Sequence, residues 1–358
     1  MQPEQVIPAH RGAAENPPNR FEKIHLERDE EWNPEEDPLL RTQFLKDSSK
    51  SIIAYNDSPD IGFEASVNPY RGCEHGCIYC YARPFHEYLG FSSGLDFETK
   101  IMVKENAPKL LREELSSPKW KPQVIAMSGV TDCYQPVERK LKLTRGCLEV
   151  LAEFRNPVGI VTKNFLVTRD IDLLYELAQH NAVAVYISLT TLDTELRKIM
   201  EPRTSPPTAR LEAIRRLSQA GVHVGILMAP IIPGLTDHEI PAVLAAAAAA
   251  GAKSAGHVTL RLPHAVAPLF EKWLETHFPD RKEKVLNRLR SMRGGKLYDS
   301  KFGQRVRGDG IFADQIDQLF DVARRKVGIA ERGGNLSVAA FRRSAGAQLE
   351  LDLLDPPP

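Results

Sequence analysis

From residue 62 onward the chain alternates between short apolar runs and longer stretches whose apolar positions recur at helical spacing. GFEASVNPY (62–70), VIAMSG (124–129), VGIVTKN (158–164), AVAVYISLT (182–190), VHVGILMAPIIPG (222–234) and HVTLRLPHA (257–265) read as strands. Between them, 105–117, LTRGCLEVLAEF (143–154), DIDLLYELAQH (170–180), PTARLEAIRRLSQAG (207–221) and the alanine-rich 239–252 read as helices. Continuously apolar strands separated by helices of this length are the mark of βα units on a parallel sheet buried on both faces. Right-handed crossovers curl six such units into a partial (β/α)6 barrel, an α/β fold. Pattern alone leaves a doubly wound sheet as the alternative. The expected organisation is a partly irregular N-terminal extension (1–60), the barrel (61–265), a C-terminal helical basic segment (266–345) and a flexible tail (346–358).

Composition changes this picture little. Charged residues make up 26 % of the 358, and 47 basic side chains balance 47 acidic ones. A neutral whole argues against a protein-wide field that steers nucleic acid. Charge is segregated, however: residues 281–310 hold ten Lys or Arg against three acids. That segment would either face phosphates, with Arg305 and Arg307 among its glycines, or be neutralised by the acidic stretch 27–37 of the same chain. No apolar stretch is long enough to span a membrane and the start has no signal-peptide core, so a cytoplasmic location is the default expectation.

Chemistry concentrates in VNPYRGCEHGCIYCYARPF (67–85). Of five cysteines, Cys73, Cys77 and Cys80 crowd into eight residues, spaced C-x3-C-x2-C. Such crowding reads as metal binding. Cubane iron–sulfur clusters commonly take four cysteines, so three point to a [4Fe–4S] cluster with one iron left open to an outside ligand. Gly72 and Gly76 give a tight loop its freedom beside the sulfides. The alternative is a Cys3His zinc site using His75 or His86.

The spacing, with aromatic Tyr79 before the last cysteine, resembles the radical S-adenosylmethionine superfamily, and PYRGCEHGCIYCYAR with GKLYDSKFGQRVRGDG resembles its spore photoproduct lyase-like branch, over about 62–310. The resemblance implies an enzyme whose reduced cluster cleaves S-adenosylmethionine to a 5′-deoxyadenosyl radical, which takes hydrogen from a substrate. That substrate is damaged DNA or, alternatively, a small molecule, peptide or RNA; a non-catalytic zinc or iron–sulfur protein is the remaining alternative. It also implies an electron donor such as flavodoxin or ferredoxin.

Sites on parallel sheets lie at the C-terminal ends of strands, and five such ends carry candidates. Ser128 and Gly129 stand where the superfamily backbone meets the cofactor's amino group, in place of its usual Gly-Gly-Glu, or form an ordinary turn. Lys163 resembles the lysine that meets the cofactor carboxylate, and Ser188 a serine near its ribose; the plain alternatives are a solvent-facing lysine and a satisfied buried serine. Glu201 and Arg203, in EPRTSPP, are a carboxylate clamp or a loop ion pair with each other. Ile231 and Ile232, between Pro230 and Pro233, form an apolar wall for adenine or a helix lead-in. Cys133 is the candidate for a cysteine that returns hydrogen to a product radical, whereas Cys147 reads as a small buried hydrophobe.

Overall fold

The computed structural model describes residues 10–21, 41–60, 62–302, 304–331 and 333–343. The acidic stretch 27–37 and the expected flexible tail lie outside the described residues.

Among the described residues ten strands form two sheets: β1 (Gln43–Lys46), β2 (Ile53–Tyr55), β3 (Ala65–Val67), β4 (Tyr70–Arg71), β5 (Lys100–Val103), β6 (Ile125–Met127), β7 (Val158–Thr162), β8 (Val183–Ser188), β9 (His223–Ile231) and β10 (Ser254–Thr259). The large sheet runs β10-β9-β8-β7-β6-β3-β2, and every neighbouring pair is parallel except β2 with β3. Its six parallel strands are the six βα units expected, wound in one direction as a partial barrel. The small sheet, β1-β5-β4, was not anticipated; it carries the chain from the first barrel strand into the cysteine loop.

Strand alternation divides the side chains. Val183, Val185 and Ile187 of β8, and Val224, Ile226 and Met228 of β9, pack in the main core with Leu174, Leu177, Ile214 and Leu217 of the surrounding helices. Ala184, Tyr186 and Ser188 alternate with them on the opposite, interior face. Register then aligns the functional ends: Thr162 pairs with Ile187 and Ser188 with Leu227, so Lys163, Ser188 and Ala229 meet at one rim.

Helix Leu143–Phe154 has the bounds read from its apolar spacing. Two expectations are corrected. The last barrel strand ends at Thr259, so LPHA (262–265) is a loop, and helix Thr194–Met200 precedes the helix expected after β8. The C-terminal segment also shares the main core: Ile316 and Phe320 of helix Ile311–Lys326 pack there, and Ala330 bridges to Ser254 of β10. No helix among the described residues is long and apolar enough to cross a membrane.

Candidate functional site

The loop after β4 carries the three cysteines. Gly72 and Gly76 have φ of 80° and 67°, the left-handed turns that their spacing predicted. Cys73 and Cys77 are buried, Cys80 is half-buried, and none is in a disulfide. Burial pushes the Cys77 thiol well up, with the charge of Glu201 and the other two cysteines adding to it and Lys163 opposing. Burial and Cys73 likewise raise Cys80, against Arg83 and Lys163.

Buried charge holds this loop in place. Arg83, fully buried, donates to Cys77 O, Ser93 O, Gly94 O and the Glu98 carboxylate. Glu98 also accepts the backbone N–H groups of Gly12 and Ala13 at 3.0 and 2.9 Å. The N-terminal segment lies so close that a Cβ on Gly12 would fall 1.7 Å from Gly76 O, which only glycine permits. Arg203 donates to Glu74 at 3.0 Å, and its N–H reaches His75 O.

His75 occupies both ring nitrogens: Nδ1 lies 3.3 Å from Asp132 and Nε2 3.2 Å from Asn164. Burial lowers His75, but Asp132 and Cys73 outweigh it and raise it to about 9. Burial raises Asp132, but His75 and the N–H groups of Lys163 and Tyr134 hold it below its ordinary value. His75 therefore ties the cysteine loop to the strand ends and has no free nitrogen for zinc. Nor do any three Cys, His, Asp or Glu among the described residues converge on a single-ion site. A tetrahedral zinc site would need sulfurs about 4 Å apart. Cys73, Cys77 and Cys80 are three free thiols on one loop, a donor set of the kind that holds an iron–sulfur cluster.

At the rim, Lys163 Nζ donates to Ser188 Oγ at 2.7 Å and to Ala229 O at 3.3 Å, and lies 5.9 Å from the Tyr79 ring centroid. Ser128 has φ of 89°, so the left-handed turn at the end of β6 belongs to a serine and not to Gly129. Its Oγ accepts from Cys133 N. Gly129 O accepts from Tyr81 at 2.7 Å, while its Cα has room for a side chain.

Three assignments are corrected. Glu201 is fully buried and spent inside the protein: it accepts from Tyr79, from Arg210 and, at 2.9 Å, from Thr190. Burial would raise this carboxyl, but Arg210, Lys163 and Tyr79 hold it at about 2. It positions Tyr79. Its ion-pair partner is Arg210 and that of Arg203 is Glu74, so neither the carboxylate clamp nor the Glu201–Arg203 pair holds. Ile231 and Ile232 are fully buried, in two different core clusters, and present no open wall. Cys133, 0 % exposed, sits in the main core with Cys147, so the thiol offered as a hydrogen donor has no exposed face at the rim. The strand-end position was read correctly, but its side chain points inward. Sequence reasoning missed the buried Arg83 and Arg210, paired with Glu98 and Glu201, Asp132, which faces His75, and Tyr81 and Arg261 at the rim.

The chain belongs to the radical SAM superfamily, whose profile matches residues 67–247, about half of the sequence. Membership implies a [4Fe–4S] cluster and S-adenosylmethionine. The sequence is 40 % identical over 220 residues to an uncharacterized protein of Mycobacterium tuberculosis, covering 61 % of this chain and 65 % of that protein. An uncharacterized protein of Methanocaldococcus jannaschii is 32 % identical over 199 residues, covering 56 % and 71 %. Thus the match spans less than two thirds of the mycobacterial relative. Among solved structures, spore photoproduct lyase complexed with dinucleoside spore photoproduct superposes with a TM-score of 0.55 at 15 % identity, over 80 % of this chain and 81 % of that one. A variant of that lyase with bound AdoMet and the same dinucleoside gives the same score over 82 % of each chain. These likenesses concern the fold.

Proposed function

We propose that this protein is a radical S-adenosylmethionine enzyme in which Cys73, Cys77 and Cys80 hold three irons of a [4Fe–4S] cluster. The observation that carries the reading is the set of three undisulfided thiols, clamped by Arg83 and His75 at the rim where Lys163 and Ser188 end their strands. When bound, the cluster supplies one electron to the sulfonium of S-adenosylmethionine, delivered by a donor of the flavodoxin or ferredoxin type.

The residues around it have separable tasks. Lys163 exchanges its contacts with Ser188 and Ala229 for the cofactor carboxylate, leaving Ser188 free for the ribose hydroxyls. Tyr79, fixed by Glu201 and Thr190, forms the floor beneath the lysine. The positive-φ turn at Ser128 turns backbone groups of 128–129 toward the cofactor's amino group. Burial of Cys73 and Cys77 would shield a cluster held there from water. A nucleic-acid substrate is the reading we favour, supported by the fold likeness to a lyase complexed with a dinucleoside lesion; a small molecule, peptide or RNA is the alternative.

The test is binding. Anaerobically reconstituted protein should hold about four irons with equimolar sulfide. Lys163→Ala should keep that iron while weakening S-adenosylmethionine affinity about 10-fold or more. Stoichiometric zinc without sulfide, or unchanged affinity in the lysine variant, counts against the assignment.

A further inference from the structure

The segment that follows β6, TDCYQPVE (131–138), spends its polar groups on the approach to the cysteines. Thr131 Oγ1 donates to Tyr70 O at 3.0 Å. Gln135, fully buried, donates through Nε2 to Gly72 O at 3.1 Å and accepts Glu74 N on Oε1 at 2.9 Å. Val137 N donates to the Glu74 carboxylate at 2.7 Å, and Glu138 accepts the Tyr70 hydroxyl at 2.5 Å. Four residues of one segment thus hold 70–74. Asp132 differs from them because it reaches in two directions. Its Oδ2 lies 3.3 Å from Nδ1 of His75, which stands between Cys73 and Cys77, and accepts the backbone N–H of Lys163 at 2.8 Å. The Thr162 hydroxyl at the end of β7 donates to both carboxylate oxygens, at 2.8 and 3.0 Å, and Tyr134 N donates to Oδ1 at 2.9 Å. A carboxylate has about four acceptor sites, and these four donors fill them. Asp132 is therefore saturated by the protein and can act on a ligand only through its neighbours.

We propose that Asp132 is a positioning residue that sets Lys163 in register with the cysteine loop, so that the ammonium meets the carboxylate of S-adenosylmethionine. The backbone N–H that Asp132 holds belongs to Lys163 itself, and fixing it fixes the direction in which the side chain leaves the end of β7. From there Nζ reaches Ser188 Oγ and Ala229 O, at the ends of the next two strands. Asn164, the residue after Lys163, faces Nε2 of His75 at 3.2 Å, which closes a ring from the loop through His75, Asp132 and Lys163 back to His75. Charge-assisted bonds of this kind are the strong ones, and partners that orient a ligand-binding group are worth about 10–100-fold when lost. The inference rests on the reading of Lys163 and the three cysteines given above, and goes beyond it in naming what holds the two parts of the site at their working distance.

The test uses the full-length, anaerobically reconstituted protein, with S-adenosylmethionine as probe and iron, sulfide and equilibrium binding as readouts. Asp132→Asn, which keeps one carbonyl acceptor and loses the charge, should retain about four irons per chain and weaken binding about 10-fold. Asp132→Ala, which keeps no acceptor, should weaken it further. The double variant separates positioning from a general loss of structure. If Asp132 acts through Lys163, adding Asp132→Asn to Lys163→Ala should weaken binding by less than about 2-fold beyond Lys163→Ala alone. Independent losses that multiply to about 100-fold overturn the proposal, as does iron lost in step with affinity in Asp132→Asn. Unchanged affinity in Asp132→Asn beside a weakened Lys163→Ala overturns this inference and leaves the radical-enzyme reading standing. Stoichiometric zinc without sulfide in the wild type overturns that reading, and this inference with it.

Discussion

The cysteine loop and the basic segment 281–310 are both dense in charge, yet they use it differently. Around the cysteines the charges are buried and paired across the fold: Arg83 with Glu98, Arg210 with Glu201, His75 with Asp132. In 281–310 they are mostly exposed, and where paired they staple neighbouring elements: Arg288 to Asp237, Arg305 to Asp60. A buried pair is a weak source of net stability, but losing one partner leaves an isolated charge in low dielectric. The cysteine loop is therefore rigid through mutual dependence, while the basic segment tolerates loss at most positions. Part of its charge is neutralised from the other edge of the sheet. Arg305 pairs with Asp60 in the loop after β2, at 2.5 Å, and with Ser58. Because β2 and β10 are the two edges of the sheet, and Arg293 ties the Arg305 backbone to the end of β10, this contact spans the gap between them.

The contrast can be broken at four points of decreasing effect. Cys77→Ala should drop reconstituted iron from about four per chain to below one, as read by iron and sulfide assay. Arg210→Ala should destabilise the protein by about 3–5 kcal/mol in urea unfolding, because Glu201 would remain charged and buried. Next is His86, whose imidazole is held down to about 4 by burial beside Phe91 and Phe97. Only the unfolded chain takes up this proton between pH 6.5 and 4. Its contribution is therefore complete above about 6.5 and is lost as pH falls toward 4, by up to about 3 kcal/mol. His86→Phe should flatten that part of the stability–pH profile. The smallest effect separates two arginines: Arg305→Ala should lower stability by about 1–2 kcal/mol, whereas Arg307→Ala, exposed and 3.8 Å from Asp317, should change it by about 0.5 or less. A double substitution of these two would mix a structural loss with any loss of phosphate contact, so the single variants are the informative ones.

The sequence made some of this legible for physical reasons. Helix Leu143–Phe154 could be read to the residue because its apolar positions recur at helical spacing. The last strand was displaced because Gly256 and His257 interrupt its apolar run, whereas LRLP beyond it resembles a strand. Helix Thr194–Met200 is short, and its one signal was Asp193, whose carboxylate caps Glu195 N and Leu196 N. The three cysteines were legible because metal chemistry fixes spacing along the chain. Their supports were not, because ion pairing depends on distance in space: EPR suggests Glu201 with Arg203, while the carboxylate turns to Arg210, a helix away. Cys133 shows the same limit in reverse, since a strand end is visible in sequence but the side toward which its thiol points is not.

The most direct measurement is anaerobic turnover of S-adenosylmethionine by the dithionite-reduced, reconstituted protein, read as 5′-deoxyadenosine by chromatography. The account predicts that the wild type releases 5′-deoxyadenosine with equimolar methionine and that Cys77→Ala releases none. Wild-type protein carrying a full cluster and yielding no 5′-deoxyadenosine, or equal release from Cys77→Ala, would contradict it.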